Sequence, residues 1–220
     1  MMFSIYTTNK TKLLTTIQSN TIMTKKAKSL KGTKTEENLV TAYMAESSAY
    51  SRYTFYATQA TKEGYHPIAL IFNDTAANEL RHAKVYFKFL QGGQVSTTMK
   101  VDAGVIGTTA ENLATAAAEE LTEGVDMYMA FAKTADEEGF HEVAEHFRAI
   151  ATIEQRHHDR FVRNLKRVKD GTVWKRDKSI VWKCLVCGYE YTGTEPPAEC
   201  PACDHPREHY MPLDDAEDLI

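Results

Sequence analysis

Apolar side chains recur at steps of three and four along four stretches of this chain, the spacing of one face of an α-helix. The first stripe reads Leu39, Tyr43, Glu46, Tyr50, Tyr53, and the second Ile68, Phe72, Thr75, Glu79, His82, Tyr86, Phe89. The third carries Leu113, Ala116, Glu120, Glu123, Met127, Ala130, and the fourth Val143, Phe147, Ile150, Glu154, His157, Phe161. Helices are therefore expected at about 36–62, 66–90, 109–138 and 141–168. Thr33 with Glu36 and Thr108 with Glu111 have capping-box spacing, and Gly64 and Gly139 sit where helices should turn back. Residues 92–109, which include Gly92, Gly93, Gly104 and Gly107, are too long for an ordinary helix–helix loop. The pattern predicts an all-α four-helix bundle with a long crossover between its second and third helices.

An internal repeat supports this division. Residues from Glu63 onward align with those from Glu138 onward at an offset of 75, with nine identities in twenty positions. The offset between Tyr53 and Tyr128 is also 75, but that between Glu46 and Glu120 is 74. One extra residue must be absorbed between Glu120 and Tyr128, which predicts a π-bulge there.

The stripes place Glu46, Glu79, Glu120, Glu123, Glu154, His82 and His157 at core positions. Counted from the turn glycines at ~1.5 Å per residue, all seven fall within ~6 Å of one level. Five carboxylates buried together would cost several kcal/mol each if uncompensated, and two divalent cations would offset four of the charges. A Glu from each of two helices and Glu-x-x-His from each of the other two is a dimetal carboxylate pattern, with oxygen-rich ligation suited to iron or manganese. Glu63 to His66 and Glu138 to His141 share the spacing, but each has a turn glycine in the middle and is expected at a helix end, facing solvent.

Composition adds a second site. All four cysteines, Cys184, Cys187, Cys200 and Cys203, lie within 20 of the 220 residues, the clustering of a tetrahedral thiolate metal site rather than of a disulfide framework. Residues 178–213 are too few to hold a core by packing alone, so the metal is the expected staple. The residues themselves leave zinc and a single iron both open. Thiolates kept reduced point to a cytoplasmic setting. Residues 169–177 read as a linker and 214–220 as an acidic tail. Residues 1–34 hold no sustained period and are expected to be disordered and to stay out of the core, with Met23 an alternative start. Beyond residue 35 the balance is 19 basic to 30 acidic groups, which argues against nucleic-acid binding. No apolar run approaches the ~20 residues of a membrane span.

Together these motifs resemble the rubrerythrin family over about residues 28–213. The resemblance is carried by Ala45-Glu46-Ser47 with Tyr53, Glu79-x-x-His82-Ala83-Lys84, Glu120-x-x-Glu123, Glu154-x-x-His157, Cys184-x-x-Cys187-Gly188-Tyr189 and Cys200-Pro201-x-Cys203. It implies a ferritin-like diiron bundle joined to a rubredoxin-like domain with one iron on four cysteines. The implied activity is reduction of hydrogen peroxide to water in oxidative-stress defence. The implied electron source is a reduced donor, rubredoxin or an NAD(P)H-dependent reductase. Glu79 and Glu154 are then bridging ligands, Glu46 and Glu120 terminal ones, and His157 holds one iron. The other iron moves between His82 and Glu123 with oxidation state, while Tyr53 and Tyr128 hydrogen-bond the ligand carboxylates. Gly124 is expected to give Glu123 room to swing. The linker is expected to lead the cysteine domain away from its own bundle, so that a head-to-tail homodimer brings it to the partner's diiron site. A ferritin-like iron-oxidising or storage protein and a zinc-ribbon interaction module on a helical scaffold are the alternatives.

Overall fold

The computed structural model describes residues 28–100 and 104–219. Most of the expected disordered extension, Met23 included, lies outside the described residues. Residues 28–33 are described, and Leu30 there is buried in one of the two apolar clusters of the bundle. The expectation that residues 1–34 stay out of the core is corrected at this point. A single buried leucine has no period to reveal it; a turn in which Thr33 N–H donates to the Leu30 carbonyl folds it inward.

The bundle comprises α1 (Lys34–Lys62), α2 (His66–Phe89), α3 (Thr109–Glu119), α4 (Tyr128–Glu137) and α5 (His141–Lys169). A π-helical segment, Glu120–Met127, joins α3 to α4, and the three form the third rod of the bundle. It lies where the change of offset in the repeat placed the extra residue. Both turn glycines adopt positive φ, 82° at Gly64 and 73° at Gly139, a region that favours glycine.

The helix starts are tied across the bundle. Thr108 and Glu111 form the reciprocal capping box. At α1 the box is shifted: Thr33 Oγ1 accepts from Glu36 N–H, but the Glu36 carboxylate accepts from Gly32 N–H rather than from Thr33. Glu63 and Glu138 lie at helix ends as expected, but they do more than face solvent. Glu138 accepts from Lys34 N–H (3.1 Å), Thr35 N–H (2.8 Å) and Thr35 Oγ1 (2.6 Å), capping α1, while Glu63 accepts from Thr109 N–H (3.0 Å), capping α3. Each closes the start of the other half of the repeat.

After α5 the chain reverses at Gly171 (φ 64°) into β1 (Ile180–Cys184), β2 (Glu190–Gly193), β3 (Tyr210–Pro212) and the short α6 (Leu213–Glu217). The strands form an antiparallel sheet in the order β2-β1-β3. The linker does not lead away, as had been expected. Trp174 stacks on Tyr65 and His209 on His66, Arg167 pairs with Asp215, and Met211 enters the apolar cluster that holds Phe72 and Phe161. These contacts hold the sheet against the bundle, with Cys184 and Leu185 facing Leu70, Asn73 and Ala77 on the outer side of α2.

The shared caps give a stability prediction. Glu138→Ala removes three hydrogen bonds at the start of α1, and loss of a cap costs about 1–2 kcal/mol. For a chain of this size that lowers Tm by about 2–8 °C. Glu63→Ala, which loses a single backbone contact to α3, should cost less. Melting curves showing Glu138→Ala unchanged would contradict the capping role.

Candidate metal centre

Six of the seven predicted bundle ligands meet in one buried layer. Glu46, Glu79, His82, Glu120, Glu154 and His157 are each no more than 7 % exposed. They form two overlapping groups, Glu46, Glu79, His82 and Glu154, and Glu79, Glu120, Glu154 and His157. Glu79 and Glu154 belong to both groups, and each places one oxygen in each. Around His82 Nδ1 lie Glu154 Oε1 at 2.9 Å, Glu79 Oε2 at 3.1 Å and Glu46 Oε2 at 3.7 Å. Around His157 Nδ1 lie Glu154 Oε2 at 2.8 Å, Glu79 Oε1 at 3.0 Å and Glu120 Oε2 at 3.6 Å.

Of these contacts, His82 Nδ1 to Glu79 Oε2 has the geometry of a hydrogen bond, but the set as a whole does not. His157 Nδ1, both oxygens of Glu154 and Oε1 of Glu79 are buried and have no hydrogen-bond partner, although oxygen and nitrogen lie as close as 2.8 Å. A ring N–H points along one direction, whereas here three oxygens surround each nitrogen. Atoms bound at ~2.1 Å to one octahedral ion would sit ~3 Å apart at adjacent corners. The donor set therefore fits two cations side by side, with Glu79 and Glu154 able to span them.

Without cations, protons must take over their part. Burial, then the neighbouring Glu79 carboxylate, pushes Glu46 and Glu120 far above the usual carboxylate range. Burial pushes Glu79 upward, but the His157 charge together with hydrogen bonds from His157, His82 and Glu46 outweighs it and holds Glu79 well below that range. Burial disfavours charge on both histidines, yet the surrounding carboxylates, Glu154 first for His82 and Glu79 first for His157, hold them well above the ordinary histidine value.

The second layer repeats with the first. Tyr128 donates to Glu46 Oε1 at 2.6 Å and Tyr53 to Glu120 Oε1 at 2.7 Å. In each case the other oxygen of the carboxylate is left for the ion, the role that outer partners play around metal ligands. Tyr53 stays protonated because burial, then Glu120, raises its hydroxyl; burial, then Glu46, does the same for Tyr128.

Glu123 stands apart. It is half-buried and outside both groups, but it lines a cavity of about 30 Å³ against the cluster together with Ala45, Ala49 and Gly124. Glu46, Glu79, Glu120 and Glu154 line the same cavity, so it is continuous with the space between the ligand carboxylates. The space that Gly124 leaves is taken up by Glu154. A Cβ on Gly124 would lie 2.6 Å from both Cβ and Cγ of Glu154. Three further residues escaped the sequence reading. Tyr86, counted only as an apolar position, buries its hydroxyl among these carboxylates, while Arg52 pairs with Glu119 beside the cavity. Only their charge or polarity at nearly buried helix positions could have singled them out.

The four cysteines converge as predicted, with Sγ–Sγ separations of 3.8 Å for Cys184 to Cys203 and 3.7 Å for Cys187 to Cys200. Metal–sulfur bonds of ~2.3 Å in a tetrahedron put sulfurs ~3.8 Å apart. Each knuckle ends on a residue with positive φ, Gly188 after Cys187 and Asp204 after Cys203, whose N–H returns to the carbonyl of the first cysteine of its pair.

The comparisons agree with both sites. A family model described as rubrerythrin matches residues 37–165 and 111–186, and one described as the rubredoxin-like domain of rubrerythrin matches residues 182–211. The chain is 50 % identical to a rubrerythrin of Porphyromonas gingivalis, over 84 % of this chain and 93 % of that one. It is 44 % identical to a rubrerythrin of Nitratidesulfovibrio vulgaris, over 83 % and 96 %. Among solved structures it resembles fully reduced, all-ferrous nigerythrin, with a TM-score of 0.56 and 29 % identity over 87 % of this chain and 91 % of that one.

Two outcomes follow from the geometry. Gly124→Ala should displace Glu154 and empty the bundle of metal while leaving the cysteine site loaded; full metal content in this variant would contradict the packing argument. Because Glu46, Glu120, His82 and His157 all favour their protonated forms in the absence of cations, metal binding should release up to four protons, and affinity should rise with pH. Titration calorimetry of the metal-free protein in buffers of different ionisation enthalpy measures the release.

Proposed function

Since the chain belongs to the rubrerythrin family, whose members are oxidoreductases carrying a diiron site and a four-cysteine iron, we propose that it is a peroxidase that reduces hydrogen peroxide to water. The observation that carries the reading is the pair of sites on one chain. A dimetal carboxylate layer with a small cavity on it, and a tetrathiolate site whose iron would pass electrons, lie on the same chain. A storage protein would leave the cysteine domain idle, and a zinc-ribbon module would leave six buried ligands unexplained.

Glu79 and Glu154 are assigned as bridging ligands, Glu46 and Glu120 as terminal ones, and His82 and His157 as the nitrogen ligands of the two ions. With two ferrous ions bound, the site holds the two electrons that cleavage of an O–O bond requires, so no one-electron radical need escape. Tyr53 and Tyr128 hold one oxygen of each terminal carboxylate and so fix the direction of the other. Glu123, which lines the cavity, is assigned as the carboxylate that would accept and return a proton as peroxide enters and water leaves, and that would serve in place of His82 in the oxidised state.

The electron donor in this reading is rubredoxin or an NAD(P)H-dependent reductase, and the setting is cytoplasmic oxidative-stress defence. Among the described residues no helix is long and apolar enough to cross a membrane. A head-to-tail homodimer is part of the reading, supported by Leu80 and Phe87, large apolar side chains more than half exposed on α2 beside Tyr43. The docking of the cysteine domain on its own bundle adds a route within the chain.

The visible spectrum tests the assignment. A thiolate-to-iron band should bleach on reduction and return on addition of peroxide. A spectrum without that band, or one that peroxide does not restore, would remove the peroxidase reading. Glu79→Ala or Glu154→Ala should abolish turnover and lower the metal content from three irons per chain towards one, sparing the cysteine site. Three irons in either variant would contradict the bridging roles.

A further inference from the structure

A second cavity, of about 410 Å³, lies on the outer side of α1, away from the metal layer. Its size is that of sites that hold small organic molecules. Its outer wall is apolar, built from Met44 and Phe55 of α1 and from Val105 and Ile106 of the crossover, which are 44, 52, 82 and 57 % exposed. Large apolar side chains grouped on a surface mark a binding face more often than ordinary surface. The floor is polar: Ser47, Ser48, Ser51 and Arg52. The crossover is fastened over it by Tyr56, whose hydroxyl donates to the Val105 carbonyl at 3.5 Å.

Arg52 is the one residue common to this lining and that of the 30 Å³ cavity at the metal layer. Its guanidinium pairs with Glu119, and the two side chains are 14 and 13 % exposed. The pair therefore stands between an apolar chamber open to solvent and the small polar space beside Glu120 and Glu123. The three serine hydroxyls of the floor donate to carbonyls of α1 and present their oxygens as acceptors, so the chamber suits a molecule with an apolar body and a small polar end that donates a hydrogen bond.

We propose that the outer cavity is a vestibule for organic hydroperoxides, with the Arg52–Glu119 pair at its inner end. The proposal rests on the peroxidase reading and names a substrate class for that site. The organic group lies against Phe55 and Ile106, and the –OOH group is handed past Arg52 into the inner cavity. The O–O bond breaks, two electrons arrive from the reduced carrier through the cysteine site, and two protons arrive from solvent. One oxygen leaves as the alcohol and the other as water.

The test uses the full-length, iron-loaded protein. Cumyl alcohol, the product of cumene hydroperoxide, has no O–O bond and so reports binding alone. Equilibrium dialysis should show saturable binding at one site per chain. Phe55→Asp combined with Ile106→Asp, both at exposed positions that the fold does not need, should weaken it about tenfold or more, since apolar contacts of this kind are worth that much in discrimination. In turnover, the ratio of kcat/KM for cumene hydroperoxide to that for hydrogen peroxide should fall by a similar factor in the double variant. Absence of saturable binding, or binding and a kcat/KM ratio that the two substitutions leave unchanged, would overturn the vestibule. Failure to reduce either peroxide would overturn the peroxidase reading instead, while the dialysis result would still decide whether the cavity binds.

Discussion

Four carboxylates cannot leave water together unless positive charge goes with them, and the bundle is arranged around that requirement. Glu46, Glu79, Glu120 and Glu154 carry four charges into a layer no more than 5 % exposed. The penalty for a buried ion remains several kcal/mol after relaxation, so four uncompensated would exceed the 5–15 kcal/mol that usually separates folded from unfolded chains. Two divalent ions balance the four carboxylates and leave the histidines neutral. The layer also divides the apolar core. One cluster, with Ile68, Phe72, Leu113 and Phe161, lies on one side, and another, with Leu39, Tyr86, Tyr128 and Phe147, lies on the other. Whatever fills the layer ties these two halves together.

The repeat supplies most of this arrangement twice over. Tyr53 and Tyr128, Glu79 and Glu154, His82 and His157, and the capping pair Glu63 and Glu138 are related by an offset of 75, and Glu46 and Glu120 by one of 74. The exceptions fall near the reactive space. The π segment exists only in the third rod, and Glu123 corresponds to Ser48 or Ala49 in the first half, neither of them acidic. Tyr86 corresponds to Phe161. A symmetric layer would hold two ions in the same way; these departures give one side an extra carboxylate and a cavity.

The ligands were legible because a charged residue on an apolar stripe violates the pattern that makes the stripe visible. The same argument found the π segment, since Glu46 to Tyr53 and Glu120 to Tyr128 differ by one residue. It could not find Leu30, a single buried position with no period, nor the partner of Gly124. Sequence shows that a glycine is present, but not that Glu154 on another helix would meet its Cβ. The caps made by Glu63 and Glu138 were hidden for a related reason: each serves a helix start distant in sequence. The reversal of the linker depends on Gly171 together with ring stacking between Tyr65 and Trp174 and between His66 and His209, contacts that no local pattern announces.

The two metal sites do not depend on their ions to the same degree. The cysteine domain has a buried cluster of Trp182, Tyr210, Cys184 and Cys200, so two of its four core members are themselves ligands. A unit that small cannot replace the ion with packing, and its metal is part of its fold. The bundle keeps an apolar cluster on either side of its polar layer and has groups able to hold protons when cations are absent, namely Glu46, Glu120, His82 and His157. In the bundle the ligands can hold either cations or protons between two apolar clusters. In the cysteine domain the ligands are half of the buried core, so ion and fold are coupled there most tightly.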